Sequence, residues 1–94
     1  MRISQEKKDK IAEQILSYLY NFFPKYPFTA EIAREIARDE EFIKKILFEL
    51  KEKNLVIAIK KNNEGIPFLR RLRWGLSNKV YDIYHLKQDT LNKI

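Results

Sequence analysis

Two short amphipathic segments, separated by a tight break and followed by a strand pattern, constrain the fold of this chain more than any other feature. Apolar residues recur at helical spacing in residues 29–37 and again in residues 40–53. Asp39 is a good N-cap for the second segment, and Asn54 stands where the end of a helix favours a left-handed residue. The pattern therefore predicts two helices joined by a tight turn, with the chain passing from the second helix directly into a strand.

Further helices are expected on both sides of this pair. Ser4 can cap a first helix over about residues 4–23, the Thr29 hydroxyl can cap the second helix, and Ser77 can cap a last one. Each of these predicted helices carries an apolar stripe, which should face the core in the first and third helices and lies beyond the compact core in the last. The stripes comprise Ile11, Ile15, Leu19 and Phe22 in the first helix, Ile43, Ile46, Leu47 and Leu50 in the third, and Val80, Ile83, Tyr84 and Leu91 in the last.

The segment between the third and last helices has a hairpin pattern. Residues 55–61 alternate as a strand, residues 62–65 form a turn by composition, and residues 66–74 provide the return strand. Even spacing places Phe68, Leu72 and Trp74 on one face of that strand and Arg71 and Arg73 on the other, whereas Arg70 breaks the pattern.

Length and composition fit one small domain. The 94 residues are 45% hydrophobic and 34% charged, and a chain of this length buries only about two-thirds of its unfolded surface. The longest uncharged run, residues 14–24, is far shorter than the roughly 20 apolar residues that span a bilayer. The first residues form no secretory signal and the chain has no cysteine, so a cytoplasmic protein is expected.

The net charge of +6 is concentrated in the hairpin half of the chain. Residues 1–54 carry 11 Lys and Arg against 10 Asp and Glu, whereas residues 55–94 carry 8 against 3. A positive field of this kind favours a polyanionic partner and places its contact surface on the hairpin.

Three stretches resemble the small winged-helix transcription regulators of archaea and bacteria: Thr29-Ala-Glu-Ile-Ala-Arg-Glu-Ile, Ile43-Lys-Lys-Ile-Leu-Phe-Glu-Leu-Lys-Glu-Lys-Asn-Leu-Val56 and Arg73-Trp-Gly-Leu-Ser-Asn-Lys79. The resemblance implies an α+β, mainly helical fold, a winged helix-turn-helix with a three-helix core, a two-stranded β wing and an additional C-terminal helix. We predict one domain over residues 1–94, with the helix-turn-helix at about 29–54, the wing at about 55–75 and the last helix at about 77–93.

The same resemblance implies a transcription regulator that binds double-stranded DNA. Such regulators insert the outward face of the third helix into the major groove, and they commonly form homodimers through their N- and C-terminal helices. We expect no cofactor and no metal ion. Here the outward face comprises Glu40, Glu41, Phe42, Lys44, Lys45 and Phe48. Lys44 and Lys45 suit phosphates or guanine edges.

The wing supplies a second set of predicted DNA contacts. Its cations can approach adjacent phosphates or a minor groove. These residues are Lys60, Lys61, Arg70, Arg71 and Arg73. Lys and Arg in a hairpin also keep edge strands from pairing with other chains, so a solvated hairpin is the alternative explanation. With only Glu64 to offset these cations, contact with DNA is favoured.

The two glutamates at the start of the third helix leave another function open. Carboxylates there would meet a polyanion, although they also stabilise a helix N-terminus. In the alternative function the chain is a winged-helix protein–protein interaction module of a transcription or replication assembly. Glu40, Glu41, Phe42 and Phe48 then face a protein. Lys45-Ile-Leu-Phe-Glu-Leu also resembles the winged-helix part of archaeal transcription initiation factor E, whose zinc ribbon has no counterpart here.

The chain lacks the residues that enzymatic and metal sites require. His85 is the only histidine, and Gly65 and Gly75 are the only glycines, so neither a histidine metal cluster nor a phosphate-binding glycine loop can form. The three serines lie at helix caps or within a helix. We therefore predict that the protein is not an enzyme.

Overall fold

The computed structural model describes residues 4–59 and 72–92. Within them the fold is mainly helical, with a two-stranded antiparallel sheet inserted before the last helix, as the α+β prediction requires. The elements in chain order are α1 (Gln5–Phe22), α2 (Thr29–Ile36), α3 (Glu40–Glu52), β1 (Val56–Ile59), β2 (Arg73–Leu76) and α4 (Asn78–Asn92).

Three of the helices begin at the caps that the sequence predicts. The Ser4 hydroxyl accepts a hydrogen bond from the Lys7 backbone N–H at 3.3 Å, and an Asp39 carboxylate oxygen accepts one from Phe42 at 3.2 Å. At the start of α4 the Ser77 hydroxyl accepts from the Val80 N–H at 3.3 Å. Each cap satisfies a backbone donor that a helix leaves without an intrahelical partner.

The predicted cap of α2 is wrong. The helix begins at Thr29 itself, and the Phe28 N–H donates to the Glu31 carboxylate at 3.0 Å. The Thr29 hydroxyl points into the protein and accepts from the Trp74 indole N–H at 2.8 Å. The residue that caps well in an isolated segment is thus used for a tertiary hydrogen bond.

Both α2 and α3 end in a left-handed residue other than glycine. Ala37 has φ 60° and Asn54 has φ 63°. After α2 the Arg38 N–H donates to Ala33 O at 3.0 Å, and after α3 the Leu55 N–H donates to Leu50 O at 2.9 Å. These are the long hydrogen bonds of Schellman motifs, which reverse the chain at each helix end. The left-handed Asn54 confirms the sequence prediction.

The core lies between α1, α2 and α3 and is closed by the sheet. The predicted stripes of α1 and α3 supply most of it, although Phe22 is only half-buried. Buried members are Ile11, Ile15, Leu19, Ile32, Ala33, Ile43, Ile46, Leu47, Leu50, Val56, Leu72 and Trp74. Every buried side-chain polar atom of the described residues has a hydrogen-bond partner, and no helix among them is long and apolar enough to cross a membrane.

The sheet places Trp74 on its buried face. Ala58 pairs with Trp74, and Ile59 pairs with Arg73. The linker before α2 pairs with the other edge of β2. The Trp74 N–H donates to Pro27 O at 2.9 Å, and Phe28 forms an isolated bridge with Arg73. β2 is therefore fixed on both edges at the point where it meets the helices.

An aromatic cluster attaches α4 to the end of α1. The Tyr20 ring lies 5.4 Å from that of Tyr81 and 5.5 Å from that of Tyr84, between ring centroids. Phe23 contacts Tyr81 at 4.5 Å. Such ring pairs add to the free energy of burial, and they hold the first half of α4 against α1.

Candidate nucleic-acid interface

The outward face of α3 is built by helical spacing. Glu41, Lys44, Lys45 and Phe48 lie at intervals of three and four residues and so share one side of the helix. The buried stripe of Ile43, Ile46, Leu47 and Leu50 occupies the other side. Lys45 is exposed and Lys44 is half-buried, which leaves two ammonium groups near the middle of the outward face.

The first turn of α3 is acidic. Asp39 caps the helix, and Glu40 and Glu41 follow it with exposed side chains. Carboxylates stabilise this end because the unpaired backbone N–H groups carry partial positive charge. An anion approaching the helix end meets these three carboxylates, whereas an anion approaching one turn later meets Lys44 and Lys45.

The two phenylalanines of α3 differ in exposure. Phe42 is half-buried against the core, whereas 38% of Phe48 is exposed. Helical spacing does not allow both rings to lie in the buried stripe of Ile43, Leu47 and Leu50, and Phe48 is the exposed one. Its ring meets Trp74 edge to face, with centroids 5.4 Å apart and an angle of 90° between the planes.

The side chain of Trp74 supports this face of α3 from inside the protein. The residue is fully buried, its indole N–H donates to the Thr29 hydroxyl, and its backbone N–H donates to Pro27 O. Sequence reasoning placed Trp74 on the buried face but missed its partner Thr29. The two residues are 45 positions apart, and no local pattern connects them.

Arg73 is the only predicted wing cation among the described residues, and it lies at the base of the hairpin. Its guanidinium donates to Tyr26 O at 2.8 Å and lies 3.9 Å from the centroid of the Phe28 ring. The side chain is nevertheless exposed. A guanidinium has five N–H donors, so this anchored Arg73 retains donors for an anion.

The other four predicted wing contacts lie outside the described residues. They are Lys60, Lys61, Arg70 and Arg71. The structure therefore brings Lys44 and Lys45 together on α3 and places Arg73 at the root of the wing.

A separate open groove lies between α1, α2 and α4. Burial raises the pKa of its two tyrosines, Tyr18 and Tyr84, and neighbouring carboxylates raise it further. The lining comprises Lys10, Glu13, Gln14, Ser17, Tyr18, Asn21, Glu35, Ile36 and Tyr84.

Within residues 4–59 and 72–87, no group of three His, Asp or Glu side chains could hold a metal ion.

Solved structures similar to this chain share its arrangement of helices and sheet. The DNA complex of MepR from S. aureus has 20% sequence identity and a TM-score of 0.68, covering 94% of this chain and 72% of that one. AF1382 from Archaeoglobus fulgidus has 15% identity and a TM-score of 0.67, covering 88% and 86% of the two chains. The Zalpha domain of PKZ from Carassius auratus, in complex with Z-DNA, has 20% identity and a TM-score of 0.58, covering 74% of this chain and 97% of that domain.

The fold is a winged helix-turn-helix. α2 and α3 form the helix-turn-helix, and β1 and β2 are the paired strands that follow it. No protein-family model matches the sequence, and no curated protein matches it. At identities of 15–20% the similarity shows the winged-helix fold alone.

Proposed function

We propose that this winged-helix protein binds duplex DNA and regulates transcription, with α3 in the major groove and the wing on the phosphate backbone or in the minor groove. The observation that carries the proposal is the position of Lys44 and Lys45 on the outward face of α3. In a helix-turn-helix the second helix is the one that enters the major groove. The DNA complexes of MepR and of the Zalpha domain support a nucleic-acid role for this fold. This role implies a cytoplasmic location.

Charge favours the wing as the main source of affinity. The hairpin half of the chain carries most of the net positive charge, and phosphate contacts dominate nonspecific binding to DNA. In this proposal Arg73, Lys60, Lys61, Arg70 and Arg71 contact phosphates. Lys44 and Lys45 then add groove contacts, with the acidic first turn of α3 held away from the phosphates.

A second function is favoured by the same α3 face. The exposed Phe48, the half-buried Phe42 and the carboxylates of Glu40 and Glu41 form a mixed apolar and acidic surface, which suits a protein partner better than a polyanion. The chain would then serve as an interaction module of a transcription or replication assembly.

Salt dependence distinguishes these two functions. We expect the protein to bind a labelled random-sequence duplex in fluorescence anisotropy, with log K falling steeply as log salt rises. Each phosphate contact contributes a slope of about −0.9, so four or more contacts give roughly −3.6 or steeper. Arg70→Ala with Arg71→Ala should flatten the slope by about 1.8. Absence of binding at low salt would contradict the DNA proposal and favour the protein partner.

The form of the duplex is a second variable in this experiment. Because the Zalpha neighbour is bound to Z-DNA, the titration should include an alternating dC-dG duplex held left-handed by 5-bromocytosine. Similar affinities for the two forms would assign the interface to phosphates alone. A clear preference would identify the form for which the α3 face is shaped.

We also propose a homodimer formed through α1 and α4. Ile83 on α4 and Phe23 at the end of α1 are large apolar side chains with 45% and 47% exposure, and exposed apolar surface of this kind marks interfaces. We expect sedimentation equilibrium to give about twice the 11.4 kDa chain mass. Ile83→Asp should yield a monomer, whereas Asp82→Asn on the same helix should not. A monomer at high concentration for the unchanged protein would disprove the dimer.

A further inference from the structure

Phe48 is an apolar residue on a face of α3 that is otherwise charged. It lies one helical turn beyond Lys44 and Lys45 and two turns beyond Glu41. Phe48 is 38% exposed, whereas the preceding residue, Leu47, is fully buried in the core. The exposed aromatic ring thus lies on the face of α3 that the proposed function places in the major groove.

The ring of Phe48 is held in place from below. It stands edge-on against Trp74, and Trp74 is fixed by hydrogen bonds from both its indole and backbone N–H groups. A side chain supported in this way loses little conformational entropy on binding, because its rotamer is already restricted. Phe48 is therefore preorganised to present apolar surface outward from α3.

Phenylalanine has no polar group with which to read a base. In the major groove of duplex DNA, the apolar feature that a ring can contact is the C5 methyl group of thymine. From this chemistry we infer that Phe48 is a specificity residue, which contacts thymine methyl groups and gives the protein a preference for thymine-containing duplexes. This inference rests on the proposed DNA-binding function and assigns its base-reading element.

Replacing thymine by uracil tests the inference directly, since the two bases differ only by the methyl group. Two alternating duplexes of equal length, dA-dT and dA-dU, are titrated by fluorescence anisotropy at the same salt concentration. We expect binding to the dA-dU duplex to be weaker by about fourfold for each methyl group contacted, the ratio that corresponds to burial of one CH₂-sized group. Phosphate contacts are common to both duplexes and cancel in this ratio.

Variants of two phenylalanines assign the preference to its source. Phe48→Ala should bring the affinity ratio of the two duplexes close to one. Phe48→Gln should do the same while covering Trp74 with its methylene groups, which keeps the test valid if the alanine variant is unstable. Phe22→Ala is the matched control, because Phe22 is a partly exposed phenylalanine of α1 whose ring packs against Tyr18, away from the α3 face. It should keep the ratio of the unchanged protein.

Each outcome of the titration has a distinct meaning. A thymine preference that disappears in both Phe48 variants and survives in Phe22→Ala supports the inference. Equal binding of dA-dT and dA-dU would overturn it while leaving the DNA-binding function intact, as would a preference that persists in the Phe48 variants. Failure to bind either duplex at low salt would overturn the DNA-binding function and this inference with it.

Discussion

Reversing the charge of Lys44 and Lys45 together, by Lys44→Glu with Lys45→Glu, is expected to weaken duplex binding by roughly 100-fold or more at low salt. Two favourable phosphate or base contacts are lost, and two like charges then face the DNA, a juxtaposition that costs several kcal/mol. The slope of log K against log salt should become less steep by about 1.8. Fluorescence anisotropy over a range of salt concentrations measures both quantities.

The matched control places the same charge change on another face. Lys7→Glu with Lys10→Glu changes two exposed lysines of α1 and alters the net charge by the same amount. Because α1 lies outside the proposed interface, its variant should lose only a few-fold in affinity through the weaker overall field. Equal losses in the two double variants would show that net charge alone attracts DNA, and α3 would then have no special role.

Folding must be checked in the α3 variant, because it adds negative charge beside an acidic first turn. Carboxylates four residues apart on a helix repel each other by a few tenths of a kcal/mol per pair. The buried stripe of α3 is unchanged by these substitutions, and it supplies most of the stability of the helix. Circular dichroism should therefore show native helix content with only a small fall in melting temperature.

The helices of this protein could be predicted from sequence because their determinants are local. Stripes at helical spacing identified the buried faces of α1 and α3, and Ser4, Asp39 and Ser77 capped the helices as expected. Asn54 could also be assigned, since asparagine tolerates a left-handed conformation at a helix end. Where periodicity or a cap decides the structure, one sequence is enough.

Residues with distant partners could not be placed in the same way. Thr29 has the sequence signature of a cap, but its hydroxyl satisfies the buried indole of Trp74. Strand alternation predicted an exposed Arg73, yet only the tertiary fold brings it to Tyr26 O and the Phe28 ring. The Thr29 cap was wrong and the contacts of Arg73 were missed for the same reason, since in each case the partner lies 45 or more residues away in the sequence.

The candidate site consists of outward side chains, which can be replaced without changing the fold. The core of α3 is fixed by Ile43, Leu47 and their neighbours, whereas the outward face can carry lysines, glutamates or an aromatic ring without altering the fold. For this reason similarity in fold to DNA-bound proteins shows the fold and does not identify a partner. Lys44, Lys45 and Phe48 must be tested individually.

Loss of the Trp74 side chain is expected to have the largest effect on stability. Trp74→Ala should lower the free energy of unfolding by about 3–5 kcal/mol, because it removes a fully buried ring and leaves a cavity. Small domains are stable by only about 5–15 kcal/mol in total, so the variant should be largely or partly unfolded on mild heating. Phe48 should also lose its support, and chemical denaturation followed by circular dichroism measures the change.

Variants of Thr29 separate the buried hydrogen bond from the packing of the ring. Thr29→Val keeps the shape but leaves the Trp74 indole N–H without an acceptor, which costs about 1–3 kcal/mol when the group is buried. Thr29→Ser keeps the hydroxyl and should lose less, since only a methyl group is removed. If Thr29→Val were as stable as Thr29→Ser, the hydrogen bond would contribute nothing to folding. The Trp74 ring would then be held by packing alone. Phe48 would pack against a ring that is free to shift.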